Sequence, residues 1–279
     1  IAIAGATALC FAAFLVAEGR QAHPMFDFSV FRNRSFSGAI LGCIAMNVSY
    51  WPFMIYLPIY LQTGLGYGPL SAGLCLLAYT LPALIFPPLG ERMSLRYGPG
   101  TVIPLGLATI GLGFMAMKLG SIAAQPGWLT MLPGLLLAGI GIGITNTPVT
   151  NTTTASVPTS RAGMASGIDM SARLITLAVN IAVMGILLVE GIAAALQRIA
   201  ADPAHLRAAA EAIAAGNTDM LATGQLLAGS APDAFVQQGL AAGIGLVMVY
   251  GGAGAWILGA LSFVLFRSGQ HQARQPCVT

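Results

Sequence analysis

The stretch MASGIDMSARLITLAVNIAVMGILLV, from Met164 to Val189, decides the fold of this chain. Its apolar residues follow one another without the alternation of a half-buried strand, and its only charged residues are Asp169 and Arg173. A helix that spans a bilayer needs about 20 consecutive, predominantly apolar residues. The stretch therefore predicts a membrane-spanning helix.

The composition of the whole chain agrees with this prediction. Of the 279 residues, 56% are hydrophobic and only 8% are charged, whereas an average soluble domain is about 25% charged. The net charge of +3 comes from 12 Lys plus Arg and 9 Asp plus Glu residues, which is too sparse for a basic patch. These figures exclude a soluble enzyme and a nucleic-acid-binding protein.

Seven apolar stretches are near the length of a spanning helix. They cover residues 1–17, 36–61, 70–90, 101–118, 128–150, 164–189 and 236–266. A transmembrane β-barrel would need segments that alternate with period two, and these stretches do not alternate. The sequence predicts an all-α fold, a polytopic transmembrane bundle of about seven helices.

The placement of arginine predicts the orientation, because cytoplasmic loops carry an excess of Lys and Arg. Along the chain, the connections between apolar stretches alternate between rich and poor in Lys and Arg. The rich set consists of Arg20, Arg32, Arg34, Arg92, Arg96, Arg161, Arg267 and Arg274, and the poor set of Lys118, Arg198 and Arg207. We expect the rich side, and with it the C-terminus, to be cytoplasmic.

The six complete spans divide naturally as three plus three, as in the inverted repeats of many secondary transporters. The connection after the first helix of each triplet is similar, PLSAG at 69–73 and PTSRAG at 158–163. The sequence therefore predicts an internal repeat.

The run YLPIYLQTGLGYGPLSAGL, from Tyr56 to Leu74, resembles the major facilitator superfamily, in particular the fourteen-helix branch of its drug:proton antiporters. The resemblance continues through FDFSVFRNRSF at 26–36, GIGIG at 139–143 and RAGMASG at 161–167. It implies that the six complete spans are the C-terminal half of a transporter. The first apolar stretch would then be the second of two extra central helices, and the N-terminal half of the same chain would be missing.

This interpretation divides the chain into segments. We expect an extra central helix at 1–17, a cytoplasmic linker at 18–35, a first three-helix repeat at 36–118, an external loop at 119–127, a second repeat at 128–266 and a cytoplasmic tail at 267–279. The second repeat contains a long external loop at 190–234, in which Pro203 and Gly216 delimit a short helix. This loop is either a spacer with surface helices or an external lid. Because Ile1 opens the chain without a signal peptide, we expect a truncated N-terminus.

The connection at 90–98, GERMSLRYG, resembles the gating loop of the family. The resemblance assigns Glu91, Arg92 and Arg96 to gating or proton coupling. Leu95 stands where the family commonly has Asp, which leaves Glu91 to provide the charge pairing. The family also commonly has glycines where Thr176 and Asn180 stand, so the substrate is expected to differ from the usual ones.

Four polar residues share one face of the sixth apolar stretch: Asp169, Arg173, Thr176 and Asn180. An ionisable group at the bilayer centre costs about 2.5 to 3.5 kcal/mol, so this face is expected to avoid lipid. Two interpretations of Asp169 stand. It either exchanges protons in competition with Arg173 and substrate, or forms a permanent i,i+4 ion pair that serves packing.

Polar and aromatic side chains on other stretches are candidates for a substrate cavity. Tyr and Trp with Met suit a lipophilic or cationic cargo, although the same residues are common in interfacial belts, where we place Tyr56, Tyr60 and Tyr67. Near Pro148, hydroxyls either contact substrate or satisfy the broken helix. The predicted cavity consists of Asn47, Tyr50, Trp51, Met54, Gln62, Tyr79, Asn146, Thr176 and Asn180.

The predicted function is proton-coupled export of small lipophilic or drug-like molecules by alternating access, in the plasma (inner) membrane. The expected partners are the substrate, protons, the lipid bilayer and the missing N-terminal half, without nucleic acid, metal or any cofactor besides the proton gradient. No Walker A, H-E-x-x-H or G-x-S-x-G motif occurs, so we expect no enzyme. The alternatives are a major facilitator transporter for another small metabolite, a channel, or a membrane scaffold that does not transport.

Overall fold

A computed structural model gives the chain as a bundle of long helices, and it describes residues 28–123, 127–197, 206–217 and 232–273. Within these ranges the regular structure is helical, with no strand. The predicted all-α class is confirmed. The helices are α1 (Arg34–Val48), α2 (Tyr50–Ile59), α3 (Pro69–Ile85), α4 (Pro87–Tyr97), α5 (Pro99–Ser121), α6 (Trp128–Ala155), α7 (Ala162–Leu196), α8 (Leu206–Ala214) and α9 (Pro232–Ala273).

Six candidate membrane spans arise from the described helices. Five segments are long and apolar enough on their own: Arg34–Gly64, Pro99–Ser121, Trp128–Ala155, Thr159–Leu196 and Val236–Ser268. The sixth is the pair of α3 and α4, which is bent by 41° at the junction. These agree with the six complete spans predicted from the sequence. The predicted extra helix at 1–17 lies outside the described residues, as does the linker up to residue 27.

Prolines divide two of the predicted spans into segments. The missing N–H of Pro52 would have bonded Val48, the last residue of α1. After Pro58 the chain widens into a π-helical turn at Tyr60–Gly64. The 41° bend between α3 and α4 falls at Phe86, where prolines follow. The spans predicted at 36–61 and 70–90 are therefore interrupted helices.

Two helices extend beyond the predicted spans, which corrects the predicted segment boundaries. α7 continues to Leu196, so the first residues of the loop predicted at 190–234 are helical, because the sequence there is rich in Ala and Leu. α9 continues to Ala273, so the tail predicted at 267–279 begins as helix. No proline occurs after Phe266 until Pro276, and nothing else in that stretch prevents the helix from continuing.

The loop between α7 and α9 contains α8, which packs on both of these helices. Gly216 follows α8 with a φ of +73°, in agreement with the predicted helix stop. Pro203, the predicted start, lies outside the described residues. The buried face of α8 consists of Leu206, Ala209, Ala210 and Ile213. The loop therefore carries an amphipathic helix that belongs to the bundle.

Glycines allow α5 and α6 to approach closely. A Cβ atom on Gly113 would meet main-chain atoms of Gly134 and Ala138, and a Cβ on Gly134 would meet the carbonyl oxygen of Gly113. A Cβ atom on Gly141 would likewise meet the carbonyl oxygen of Gly106. These glycines serve helix packing, since the contacts leave no space for a side chain.

The described arginines of the rich set lie at one end of the bundle. Arg34 opens α1, Arg161 precedes α7, and Arg92 and Arg96 lie on α4, directly before α5 begins. At the same end, a Cβ on Gly38 of α1 or on Gly100 of α5 would meet Phe266 of α9, next to Arg267. We call this the arginine end.

We predict that Gly113→Ala destabilises the bundle by about 1–3 kcal/mol, because the new methyl group overpacks the contact between α5 and α6. Thermal unfolding of the detergent-solubilised protein measures the effect. The matched control is Gly73→Ala on α3, where an added Cβ meets no atom within 4 Å. Equal unfolding temperatures for the two variants would contradict the prediction.

Candidate functional site

The guanidinium of Arg173 is the centre of a polar network between α6 and α7. Its Nε donates to Oδ2 of Asp169, one helical turn earlier on α7, at 2.9 Å. Its Nη1 donates to Oδ1 of Asn146, and its Nη2 donates to Oγ1 of Thr150, each at 2.9 Å. Asn146 and Thr150 lie one turn apart on α6. Arg173 therefore neutralises a carboxylate on its own helix and fastens that helix to α6.

Hydroxyl groups around Pro148 divide into two kinds. Thr145 and Thr153 are buried and donate to carbonyl oxygens one turn earlier in α6, at 2.7 and 2.8 Å. These bonds agree with the interpretation that hydroxyls satisfy the helix backbone. Thr150 also donates to its own helix, at 3.3 Å to the carbonyl oxygen of Asn146, but its Oγ1 accepts from Arg173. Among the described residues of α6, Asn146 and Thr150 are thus the ones that bond Arg173.

The carboxylate of Asp169 is buried, with 8% of the side chain exposed. Its Oδ2 is paired with Arg173, whereas Oδ1 has no hydrogen-bond partner among the described residues. The preceding residue of α7, Ile168, belongs to a buried apolar cluster that also contains Ile40 of α1. The thiol of Cys43 lies 3.9 Å from the carbonyl oxygen of Asp169. A buried carboxylate oxygen without a partner is costly.

The rest of the polar face of α7 is held by two tyrosines. Tyr250 of α9 donates to Oδ1 of Asn180 at 2.5 Å, and Asn180 donates to the carbonyl oxygen of Thr176 at 2.8 Å. Tyr56 of α2 donates to the carbonyl oxygen of Ile181 at 2.5 Å. The four residues of this face are buried or half-buried, and the amide of Asn180 is already bonded within the bundle. Contact of Thr176 and Asn180 with substrate stays a prediction.

Tyr50 and Tyr79 form a reciprocal pair in the core. The hydroxyl of each donates to the carbonyl oxygen of the other at 2.9 Å, and the rings stack at 4.2 Å between centroids. Both are essentially unexposed, and Asn47, at 2% exposure, donates to the carbonyl oxygen of Cys43. These contacts favour a packing role for the three side chains. Their contact with substrate stays a prediction.

The other predicted cavity residues of this span lie nearer the surface. Trp51 packs edge-on against Tyr50 and is 37% exposed, Met54 is half-buried, and Gln62 is exposed. Their contact with substrate stays a prediction. The placement of Tyr56 and Tyr60 in an interfacial belt is wrong, since both are buried in the bundle. Tyr67 is half-buried.

The predicted gating residues of α4 lie at the arginine end, apart from the network of Arg173. Arg92 and Arg96 are exposed, and Arg96 lies over the ring of Tyr97 at 5.3 Å. Glu91 is half-buried, and its Oε2 has no hydrogen-bond partner in the described ranges. Within the described part of the chain, no ion pair joins α4 to Asp169 or Arg173. The structure therefore contains two separate clusters of polar residues, the network of Arg173 and the charged residues of α4.

Sequence reasoning missed three residues that hold the site: Thr150, Tyr56 and Tyr250. Thr150 could have been found, because it lies one turn after Asn146 on the same face of α6. Tyr56 and Tyr250 have no such signal, since their partners are on another helix and the sequence does not show which helices are neighbours.

Long apolar helices with a buried ion pair between their side chains define an integral membrane protein. A profile described as Major Facilitator Superfamily matches residues 1–180 of the sequence. The chain belongs to this superfamily, and the structure is a partial bundle of its fold.

Two curated relatives illustrate its place in the superfamily. The Quinolone resistance protein NorB of Staphylococcus aureus (strain MRSA252) is 29% identical over 185 residues, which cover 66% of this chain and 40% of the relative. The Multidrug resistance protein Stp of Mycobacterium tuberculosis (strain ATCC 25618 / H37Rv) is 30% identical over 206 residues, which cover 72% of this chain and 38% of the relative. The chain thus spans about two fifths of the length of these relatives.

We predict that Asn146→Ala lowers the free energy of unfolding by about 1–3 kcal/mol, because Nη1 of Arg173 loses its half-buried partner. Thermal unfolding in detergent measures the change. Asn151→Ala is the matched control, since Asn151 is an exposed asparagine of the same helix whose side chain bonds no described residue. The network would be irrelevant to stability if both variants unfolded at the same temperature.

Proposed function

We propose that this chain is the C-terminal half of a proton-coupled exporter of small lipophilic or drug-like molecules, which works by alternating access in the plasma (inner) membrane. Membership of the superfamily and the names of the relatives, which refer to quinolone and multidrug resistance, support this proposal. The complete transporter would combine this half with an N-terminal half. It would take its energy from the proton gradient and need no further cofactor.

The observation that carries the proposal is the asymmetric carboxylate of Asp169. One oxygen is paired with Arg173, and the other is buried without a partner among the described residues. The ionised carboxylate balances the charge of Arg173. A proton on Oδ1 would remove that balance and leave the guanidinium held by the neutral side chains of Asn146 and Thr150. Protonation would therefore change the energy of the contact between α6 and α7, as coupling requires.

The geometry is also compatible with the structural interpretation of Asp169, in which the ion pair serves packing only. The two interpretations differ in what transport requires. A proton carrier is needed when a gradient drives transport, but is not needed when substrate exchanges for substrate. A packing residue supports both modes equally.

The arginine end is proposed as the cytoplasmic side, because loops rich in Lys and Arg stay in the cytoplasm. Arg92, Arg96 and Glu91 would then meet the N-terminal half at the inner surface and act in gating. Glu91 supports this proposal with its unpaired buried oxygen. The C-terminus would also be cytoplasmic, since α9 ends at the arginine end.

The decisive variant is Asp169→Asn in the complete transporter that contains this chain. We expect efflux driven by an imposed pH gradient in inverted vesicles to fall by about tenfold or more, within the roughly 5- to 150-fold range of typical coupling free energies. Exchange of labelled for unlabelled substrate, without a gradient, is expected to persist. Glu190→Gln, which alters an exposed carboxylate of the same helix, is expected to retain both activities.

Each of the other possible results of this experiment supports a different function for the chain or for Asp169. Gradient-driven efflux that survives Asp169→Asn would return Asp169 to a packing role. Saturable transport of another solute, but of no drug-like cation or quinolone, would indicate a transporter for a different metabolite. Passive flux that does not saturate would indicate a channel, and no flux of any kind a scaffold.

A further inference from the structure

The guanidinium of Arg173 has hydrogen-bond donors that the bundle does not use. Its Nε, Nη1 and Nη2 bond Asp169, Asn146 and Thr150, respectively. Nη1 and Nη2 each carry a second N–H, for which no described residue provides an acceptor. The side chain of Arg173 is 17% exposed, so the bundle does not close it off.

The amide of Asn146 adds donors next to this guanidinium. Because arginine only donates hydrogen bonds, the amide oxygen Oδ1 must be the atom that faces Nη1. The amide nitrogen Nδ2 is then the other branch of the side chain, and it donates to no described residue. Asn146 is half-buried. A ligand that accepts hydrogen bonds can therefore use both side chains.

The hydroxyl of Thr150 is a further donor beside Arg173. Its oxygen accepts from Nη2, and its hydrogen makes a long bond of 3.3 Å to the carbonyl oxygen of Asn146. A hydroxyl rotates to suit its acceptor, and Thr150 is exposed. Its hydrogen can therefore turn from the helix to a ligand. We call Arg173, Asn146 and Thr150 the donor cluster.

The charge of the donor cluster is balanced by Asp169. Within the described ranges, no other carboxylate forms an ion pair with Arg173. The other elements packed on α7 present uncharged groups: α1 places the thiol of Cys43 at 3.9 Å from the carbonyl oxygen of Asp169, and α6 has no ionisable residue. Tyr56 of α2 and Tyr250 of α9 bond α7 about two turns beyond Arg173. Charge balance therefore depends on the state of Asp169.

The remaining charged residues near α7 lie at its two ends. Glu190, Arg207 and Glu211 form ion pairs with one another at the α8 end, and Glu190 is about 25 Å along the helix from Arg173. Arg161 precedes α7, about 18 Å before Arg173. These groups are too far along the helix to replace Asp169 as the partner of Arg173.

Neutralisation of Asp169 would leave Arg173 as a cation without a counter-charge, which is unfavourable away from water. The side chains of Asn146 and Thr150 are dipoles and supply no charge. A small anion would supply the charge and accept from the N–H and O–H groups of the donor cluster. We propose that the donor cluster binds a small monovalent anion of the chloride type when a proton neutralises Asp169.

The proton and the anion bind together in this scheme. A proton on Asp169 removes the negative charge that competes for Arg173, so the affinity for the anion rises as the pH falls. By linkage, the anion favours the proton to the same extent. This inference rests on the exchangeable proton that we propose for Asp169, and it adds a second ion to the same site.

The test measures anion binding without transport, in the purified complete transporter that contains this chain. Chloride is titrated into gluconate buffer at constant ionic strength, and the temperature of thermal unfolding reports binding, because a ligand of the folded state raises it. For the wild-type protein, we expect a saturable rise whose apparent Kd increases with pH, by up to about tenfold per pH unit for one linked proton. For Asp169→Asn, whose side chain stays neutral, we expect saturable binding with the same Kd at acid and alkaline pH.

A pair of threonine variants places the anion at the donor cluster. At acid pH, Thr150→Val is expected to weaken chloride binding about tenfold, because one hydrogen bond to a charged group is lost. The matched control is Thr109→Val on α5, whose hydroxyl bonds only its own helix, and it is expected to keep the wild-type Kd. These two variants and the wild-type pH series decide the question even if Asp169→Asn does not fold.

Three results would overturn the proposed site. The first is the absence of a saturable effect of chloride on the wild-type protein at acid pH. The second is a wild-type Kd that does not change with pH, and the third is an equal Kd for Thr150→Val and Thr109→Val.

Failure of this inference is distinguishable from failure of the proposed function. Gradient-driven efflux that is lost in Asp169→Asn, without saturable chloride binding in any form of the protein, would reject the anion site and keep the proton-coupled exporter. Chloride binding that strengthens at acid pH and weakens in Thr150→Val, without gradient-driven efflux by the wild-type protein, would keep the anion site and reject the exporter.

Discussion

A guanidinium inside a membrane protein must find its partners within the protein, because lipid offers none. Arg173 meets this constraint with three bonds, to Asp169 on its own helix and to Asn146 and Thr150 on α6. The bonds to Asn146 and Thr150 fix the register between α6 and α7, since a shift by one residue on either helix would separate these groups. Because Oδ2 of Asp169 bonds Arg173, Oδ1 is left without a hydrogen-bond partner among the described residues.

Close approach of the helices keeps this network in place. α6 packs on α5 through Gly113, Gly134 and Gly141, where main chain meets main chain without side chains between. On another face, a Cβ atom on Gly139 of α6 would meet the carbonyl oxygen of Tyr79 in α3. Packing in a bilayer relies on such contacts, because burial of apolar side chains gains little when lipid is equally apolar. α6 is thereby a fixed support for Arg173.

Six spans and the pairing of Asp169 with Arg173 could be predicted from the sequence, because both follow from apolar length and helical spacing along one chain segment. Contacts between helices could not. Tyr50 and Tyr79 resemble cavity residues in sequence, yet each bonds the main chain of the other helix. Helix ends were also missed, at Leu196 and Ala273, since both helices continue beyond their apolar stretches, where no proline interrupts them.

The length of α7 has a mechanical consequence. Its 35 residues make a rod of about 52 Å, against a hydrocarbon layer of about 30 Å. The two tyrosine hydroxyls bond it at Asn180 and Ile181, next to its midpoint. A tilt of about 10° about these two bonds would move the two ends in opposite directions by about 5 Å each. Displacement of Arg173 at one side of the pivot would thus be transmitted to α8 at the other.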